Sequence, residues 1–465
     1  MNPNRINNIK IGVKNNSKKN YIIYWMQQSQ RVFYNHALLH AINVANEKKL
    51  PLMVFFGLTS NYPEANSRHY FFMLEGLSEV KRTLKSLNIS FVLKMESPEQ
   101  AIIPYLDDAD TLIMDYGYLN FQKRWRQIVW DYANRHYSHL SIDVVDTDLI
   151  VPVDIASNKA EYGADTLRPK LHQLYQEYRD YEGLNDILNS NMVGLDSDDE
   201  LTDIDKSIEQ LPIDKSVKPS KIYKGGYSEA KKWFIHFLDN HINQYPLSND
   251  PGVDHTSRLS MYLHFGQISS LELLDILIKR YHSNEVTLEA YLAFFEQLLV
   301  RRELAFNYVS YQKGYDKFLT MTEPWAYSTM NDHLDDSRNY LYNIDDYVNF
   351  RTHDIYFNTA MKEMVYTGYM HNYMRMYWAK KIIEWSHSFE EAYTIIKTLN
   401  NKYFIDGRDA NSYAGIAWCF GKHDRAWTER SIFGKLRYMN AAGLERKFDM
   451  KGYIERINKL ITNSL

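Results

Sequence analysis

The residues best suited to chemistry crowd between Asp406 and Asn440. Those 35 positions hold Trp418 and Trp427, the turn Asp406-Gly407-Arg408-Asp409, and the run Gly434-Lys435-Leu436-Arg437-Tyr438. Aromatic faces interleaved with cations suit a polyanion that exposes bases, because rings stack on bases while Lys and Arg neutralise phosphate. Residues 421–460 carry ten Lys/Arg against five Asp/Glu. Contacts made there by Arg430, Lys435 and Arg437 would be local, since a net charge of −4 argues against indiscriminate coating of nucleic acid. A second group, Thr256-Ser257-Arg258-Leu259-Ser260, places hydroxyls and backbone amides ahead of an expected helix. Unpartnered first-turn N–H groups and the helix dipole make such a corner a phosphate site. Trp378 and Trp385 are seven apart, two turns along one helix face with roughly 10 Å of rise, which serves a core or electron hopping. Glu296 and Gln297 precede Arg301 and Arg302, and adjacent helical positions diverge by about 100°. Of that pair, the amide can donate a hydrogen bond as it stands, whereas the carboxylate must first be protonated. His36 and His40 could share a helix face but have no third ligand nearby, so no metal site is expected.

These groups need a scaffold. Strand-like runs at Tyr21–Met26, Leu50–Leu58, Ile89–Met95, Thr111–Gly117 and Leu140–Val153 alternate with helical spacing over 30–48, 67–87, 98–106 and 120–136. That alternation predicts an α/β, Rossmann-like, doubly wound parallel sheet over residues 1–175. No GxGxxG follows the first strand, so this half shows no dinucleotide fingerprint. Residues 176–214 hold twelve Asp/Glu against two Lys/Arg, the composition of a solvated and partly disordered linker, expected over 176–219. After Gly225-Gly226 the pattern is helical, which predicts an all-α domain over 220–465. At 465 residues, two cores are the default. The single Cys419 excludes an intrachain disulfide and fits a reducing compartment. No apolar run approaches the ~20 residues of a membrane span, and the Asn- and Lys-rich N-terminus lacks a signal-peptide core. A soluble cytoplasmic protein is expected (nuclear if eukaryotic), with no membrane partner and a monomeric state.

The order of these blocks resembles the class II cyclobutane pyrimidine dimer photolyases of the photolyase/cryptochrome family. The segment from Asp406 to Met439 is similar to that family's D-G-R-D-P-N-G-Y … W … H-D … W … E-R … G-K-I-R-Y-M signature, with Ala410 in place of Pro and Ser412 in place of Gly. Thr256–Ser260 followed by Tyr262-Leu263-His264-Phe265-Gly266-Gln267 looks like the family's FAD pyrophosphate segment, and Tyr245 matches its flavin-contacting Tyr. The resemblance implies FAD held by Tyr245, Thr256, Ser257, Arg258, Leu259, Ser260, Arg375, Asn400, Asp406 and Asp409. It also implies a lesion pocket with Asn372, Met376 and Trp418, DNA contacts that include Trp427, and a dimer contact from Glu296 or Gln297, which of them being open. A second pigment, an 8-hydroxy-deazaflavin or a folate, is possible in this family. The implied activity is that of a carbon–carbon lyase. Excited reduced FAD passes an electron to a dimer flipped out of ultraviolet-damaged DNA, the ring opens, and the electron returns; flipping costs less at a lesion already weakly stacked.

Three departures stand out. Ser248 replaces a family Arg before Asn249-Asp250-Pro251, and Gln297 replaces a family Glu. Phe357 stands where the family relay that photoreduces flavin through Trp378 and Trp385 has a third Trp. The relay is therefore broken, or rerouted through Tyr356 or another nearby tyrosine. Two other readings remain: a cryptochrome-like flavin photoreceptor without repair, and a flavin-bound nucleic-acid-binding module that has lost catalysis.

Overall fold

The computed structural model describes residues 1–13, 19–191 and 193–462. Six strands form one sheet in the order β1-β6-β5-β2-β3-β4. They are β1 (Ile6–Lys10), β2 (Tyr21–Trp25), β3 (Leu52–Gly57), β4 (Ser90–Lys94), β5 (Ala109–Asp115) and β6 (Ser141–Val145). All neighbours pair in parallel except β1, which runs antiparallel to β6. Every residue of β2 and β3 is buried, as continuous apolar runs covered on both faces must be. The chain winds from β2 outward to β3 and β4, then returns to β5 and β6 on the other side. That reversal is the switch point outside which α/β sheets bind ligands. A smaller cavity opens there, lined by Met26 and Gln27 after β2, Leu58 after β3, and Tyr118 and Leu119 after β5.

Helices from His36–Lys48, Ser67–Ser86 and Asn120–His136 cover the sheet. The first begins at His36 rather than near residue 30, because the Asn35 side chain accepts from Leu38 N and caps it there. Residues 27–31 instead wrap Asp115, which accepts backbone N–H bonds from Gln27 and Ser29. The acidic segment is a correction to composition. It does not stand free in solvent: it follows the open edge of β4, where Asp198 N donates to Leu93 O at 2.8 Å and Val193 N to Ser90 Oγ at 2.7 Å. Lys94 and Lys81 pair with Asp198 and Glu200. Leu201, Ile208 and Leu211 are buried in the same apolar cluster as β2 and β3 side chains. An unpaired strand edge is a template for pairing, and apolar residues spaced through an acidic run can fill it.

From Tyr227 onward the chain is helical. The two halves meet through buried cations. Arg31 donates to Gly266 O and pairs with Asp148, which also takes Arg302 at 2.8 Å. Arg68 donates to the carbonyls of Met364, Val365 and Tyr403. Gly266 has φ +63°, and a Cβ there would lie 2.1 Å from Gln28 O, so glycine is what lets the two backbones approach.

Candidate functional site

Local chemistry sets the starts of two helices that line the larger cavity and of a third that packs against one of them. Asp409 accepts from Asn411 N and opens the helix Ala410–Cys419. His371 accepts from Tyr373 N and opens Asn372–Trp385. Asp354 accepts from Tyr356 N and Phe357 N and opens Ile355–Thr367, which stops at Gly368 with φ +84°. Side-chain oxygens and nitrogens at these positions satisfy amides that a helix start leaves unpaired. The helices Asn372–Trp385, Phe389–Tyr403 and Ala410–Cys419 border a cavity of about 620 Å³, which Tyr369 and Met370, just past Gly368, also line.

Its walls bring together residues scattered over 170 positions of sequence. Tyr245, the segment Thr256–Ser260, Glu296, Gln297, Asn372, Arg375, Met376, Trp378, Asn400, Asp406, Asp409 and Trp418 all line it. Arg375 and Asp406 form a two-pronged pair, Nη1–Oδ1 and Nη2–Oδ2 both 3.0 Å, with the guanidinium 4.0 Å above the Phe404 ring. Asn400 donates to Asn401 Oδ1, and Asp409 faces His264. Burial pushes the Asp409 carboxyl up, but the His264 contact and the charge of Arg302 hold it below the usual range. Trp378 is buried, with its ring N–H directed at Met361 Sδ.

Several expectations change in detail. Glu296 lines the cavity but is committed elsewhere: Arg168 reaches both its oxygens at 2.9 and 3.0 Å, and Arg301 adds a bond of 3.0 Å. Burial raises its pKa, yet these partners bring it below the ordinary value. Gln297 is exposed to the cavity, and no protein group bonds its amide among the described residues. The pair sits in a π-helical turn, Glu296–Arg301, a feature that often re-aims side chains at functional sites and that residue periodicity does not signal. Arg258 lines the cavity but is buried, with φ +55° and its guanidinium spent on Asp254 and Tyr223. Trp385 stands outside the cavity wall, packed edge-on against Phe357 at 5.1 Å.

Trp427, Arg430, Lys435 and Arg437 do not line the cavity. Arg437 lies over both Trp418 (4.9 Å) and Trp427 (4.2 Å) while bonded to Asp424 at 3.0 Å. It is a packing element as much as a free cation. Arg430 and Lys435 are exposed. Sequence reasoning also missed Arg168 and Gly415, and it gave Arg302 no place in the site. Arg168 belongs to the first half of the chain and carries no motif. His36 is buried with Tyr181 against it, and His40 bonds Asp143 instead. No group of three or more His, Cys, Asp or Glu could hold a metal among the described residues, and no helix there is long and apolar enough to cross a membrane.

The donor set fits a large, flat, anionic cofactor. Among the described residues no protein group accepts from the N–H groups of Ser257 and Arg258, which leaves two donors for an anion at the cavity wall. Gly415 lies mid-helix on that wall, and a Cβ there would meet no protein atom within 4 Å. Bare backbone thus faces the space, with Arg375 as a fixed cation beside it.

The family described as DNA photolyase matches residues 22–187. The deoxyribodipyrimidine photo-lyase of Methanothermobacter thermautotrophicus is 42% identical over 458 residues, covering 98% of each chain. Its namesake from Arabidopsis thaliana is 35% identical over 451 residues, covering 95% of this chain and 89% of the relative. Among solved structures, a class III photolyase from Agrobacterium tumefaciens has a TM-score of 0.70 at 15% identity, covering 96% of this chain and 88% of that one. A Synechocystis cryptochrome has a TM-score of 0.72 at 12% identity, covering 95% and 89%. At those identities the structural likeness speaks for the fold alone.

Proposed function

The chain belongs to the DNA photolyase family, and from that premise we propose that it repairs cyclobutane pyrimidine dimers in ultraviolet-damaged DNA with light, as a class II member. The observation that carries this reading is the single cavity shared by Gln297, Trp418 and the Arg375–Asp406 pair. Reduced FAD, when bound, supplies the light-driven electron. This chain's residues do the rest. Backbone amides at Thr256–Ser260 hold the pyrophosphate. Arg375, fixed by Asp406, favours negative charge on the flavin, and Asn400 faces it. Trp418 stacks on the extruded dimer, with Asn372 and Met376 beside it, since a base lifted from the helix needs a ring to replace its neighbours. Gln297 donates its amide N–H to a dimer carbonyl and needs no protonation to do so. Glu296 holds Arg168 and Arg301 in place.

Arg430 and Lys435 meet phosphates, and a planar antenna pigment occupies the smaller cavity at the sheet's switch point. The protein works as a monomer with DNA as its partner. A cryptochrome-like photoreceptor is the rival reading, favoured by Gln297 standing where a carboxylate is expected. Purified protein reconstituted with FAD tests the proposal: about one flavin per chain should bind, and dimer-containing DNA should bind more tightly than undamaged DNA in the dark. Well-folded protein that takes up no flavin would sink it.

A further inference from the structure

Trp385 lies behind the cavity wall, and two rings other than Phe357 touch it. Tyr342 meets it edge-on with ring centroids 5.4 Å apart, and His353 lies 5.1 Å away. The Tyr342 hydroxyl and His353 Nδ1 are 2.9 Å apart. The same hydroxyl oxygen accepts from the His353 backbone N–H at 3.1 Å. With His353 in its Nε2–H form, the phenolic hydrogen is directed at Nδ1. Tyr340 then stacks on His353 at 3.8 Å and is 48% exposed. Trp385, Tyr342, His353 and Tyr340 form an unbroken path of rings from the buried helix to solvent.

We propose that Tyr342, with His353 as its proton acceptor, is the terminal electron donor to Trp385. The proposal rests on the photolyase reading and on a hole that passes from Trp378 to Trp385 along their shared helix despite Phe357 at the third Trp position. In the step itself one electron passes from Tyr342 to the oxidised Trp385. The Tyr342 O–H bond breaks and an N–H bond forms at His353 Nδ1. Trp385 is restored, leaving a neutral tyrosyl radical beside an imidazolium. An external thiol or ascorbate then returns one electron at the exposed end, and the proton goes back from His353. Phenol oxidation needs somewhere for the proton to go, and Tyr342 combines such an acceptor with direct ring contact to Trp385. Tyr347 packs its ring on Phe357 and Tyr342 rather than on Trp385. Tyr356, the sequence-based candidate, spends its hydroxyl on Glu445, and its ring does not pack on Trp385. Tyr377 donates to Asp354, is fully buried and does not pack its ring on Trp385.

Flash excitation of the FAD-loaded full chain, with paramagnetic resonance detection, tests this in wild type, Tyr342→Phe, His353→Gln and Tyr356→Phe. Repair by the chemically reduced proteins is measured in parallel. A tyrosyl radical is expected in wild type and Tyr356→Phe. It should be lost in Tyr342→Phe, where a tryptophanyl radical remains instead. His353→Gln should slow its formation and remove the solvent deuterium effect. Repair by reduced protein should be unchanged throughout. A tyrosyl radical that survives Tyr342→Phe, or none in wild type, overturns the proposal even if repair proceeds. A chain that binds no flavin overturns both this inference and the photolyase reading, whereas a normal Tyr342 radical without repair removes only the latter.

Discussion

At the scale of single residues, order and spacing singled out side chains that the structure brings together around one cavity. Their partners were not legible. Nothing in the sequence tells that Glu296 is held by Arg168 from 128 positions away, or that Arg437 is wedged between two tryptophans. These facts sharpen the expected effects of mutation. Trp418→Ala should weaken binding to dimer-containing DNA by about 5–150-fold, the loss of one base–aromatic stack worth roughly 1–3 kcal/mol. Flavin content and binding to undamaged DNA should hold, and equal weakening on both DNAs would make Trp418 structural. Gln297→Leu removes a neutral donor of similar size. Its repair yield should fall in reduced, saturated protein, while Gln297→Glu should repair well only where the new carboxyl is protonated. Repair unaffected by Gln297→Leu would put the dimer contact elsewhere.

At the scale of elements, the five parallel strands and the main helices were readable from hydrophobic period, since continuous apolar runs and 3.6-residue spacing differ plainly. The misses have physical causes. Strand β1 reads Ile-Asn-Asn-Ile-Lys and is mostly exposed, so an antiparallel edge partner left no apolar signature. The long run at 140–153 stops being strand at Val145, because the Asp146 side chain bonds Tyr118 and Val153 instead. The π-helical turn at Glu296–Arg301 inserts a shift that residue spacing cannot show. The helix Asn372–Trp385 sends Asn372, Arg375, Met376 and Trp378 to the cavity and Trp385 away from it. Phe357, from the preceding helix, is fully buried against Trp385. Phe357→Trp should therefore overpack the site and cost about 1–3 kcal/mol in denaturant unfolding. It should also put a second oxidisable ring beside Trp385, so that a tryptophanyl radical competes with the tyrosyl signal. An unchanged mixture of radicals would show that position 357 lies off the electron path.

At the scale of the whole molecule, two halves joined by buried ions enclose the smaller cavity, which takes residues from both, and that union was the least legible feature of the sequence. One consequence is a pH-dependent stability. Glu303 accepts from Ile150 N across the junction at 2.7 Å, and burial raises its pKa from 4.5 to about 8, against the pull of Arg302. Between those values the folded chain keeps a proton that the unfolded chain has lost, so rising pH favours unfolding there. Glu303→Gln should flatten that part of the pH–stability curve measured by thermal unfolding; an identical curve would remove Glu303 as the cause. The exposed cations set a second global property. Changing Arg430 and Lys435 together to Ala should flatten the dependence of log K on log salt by up to about 1.8, near 0.9 for each phosphate contact. An unchanged slope would place the DNA face elsewhere. The central claim is the light-driven repair itself, and one assay meets it directly. Chemically reduced, FAD-loaded protein is mixed with an oligonucleotide carrying a cyclobutane dimer, and the dimer is counted after illumination and after the same time in darkness. Loss of the dimer in light, with intact pyrimidines restored and none lost in the dark, is the predicted result. Undiminished dimer in light, with flavin and DNA both bound, would contradict it.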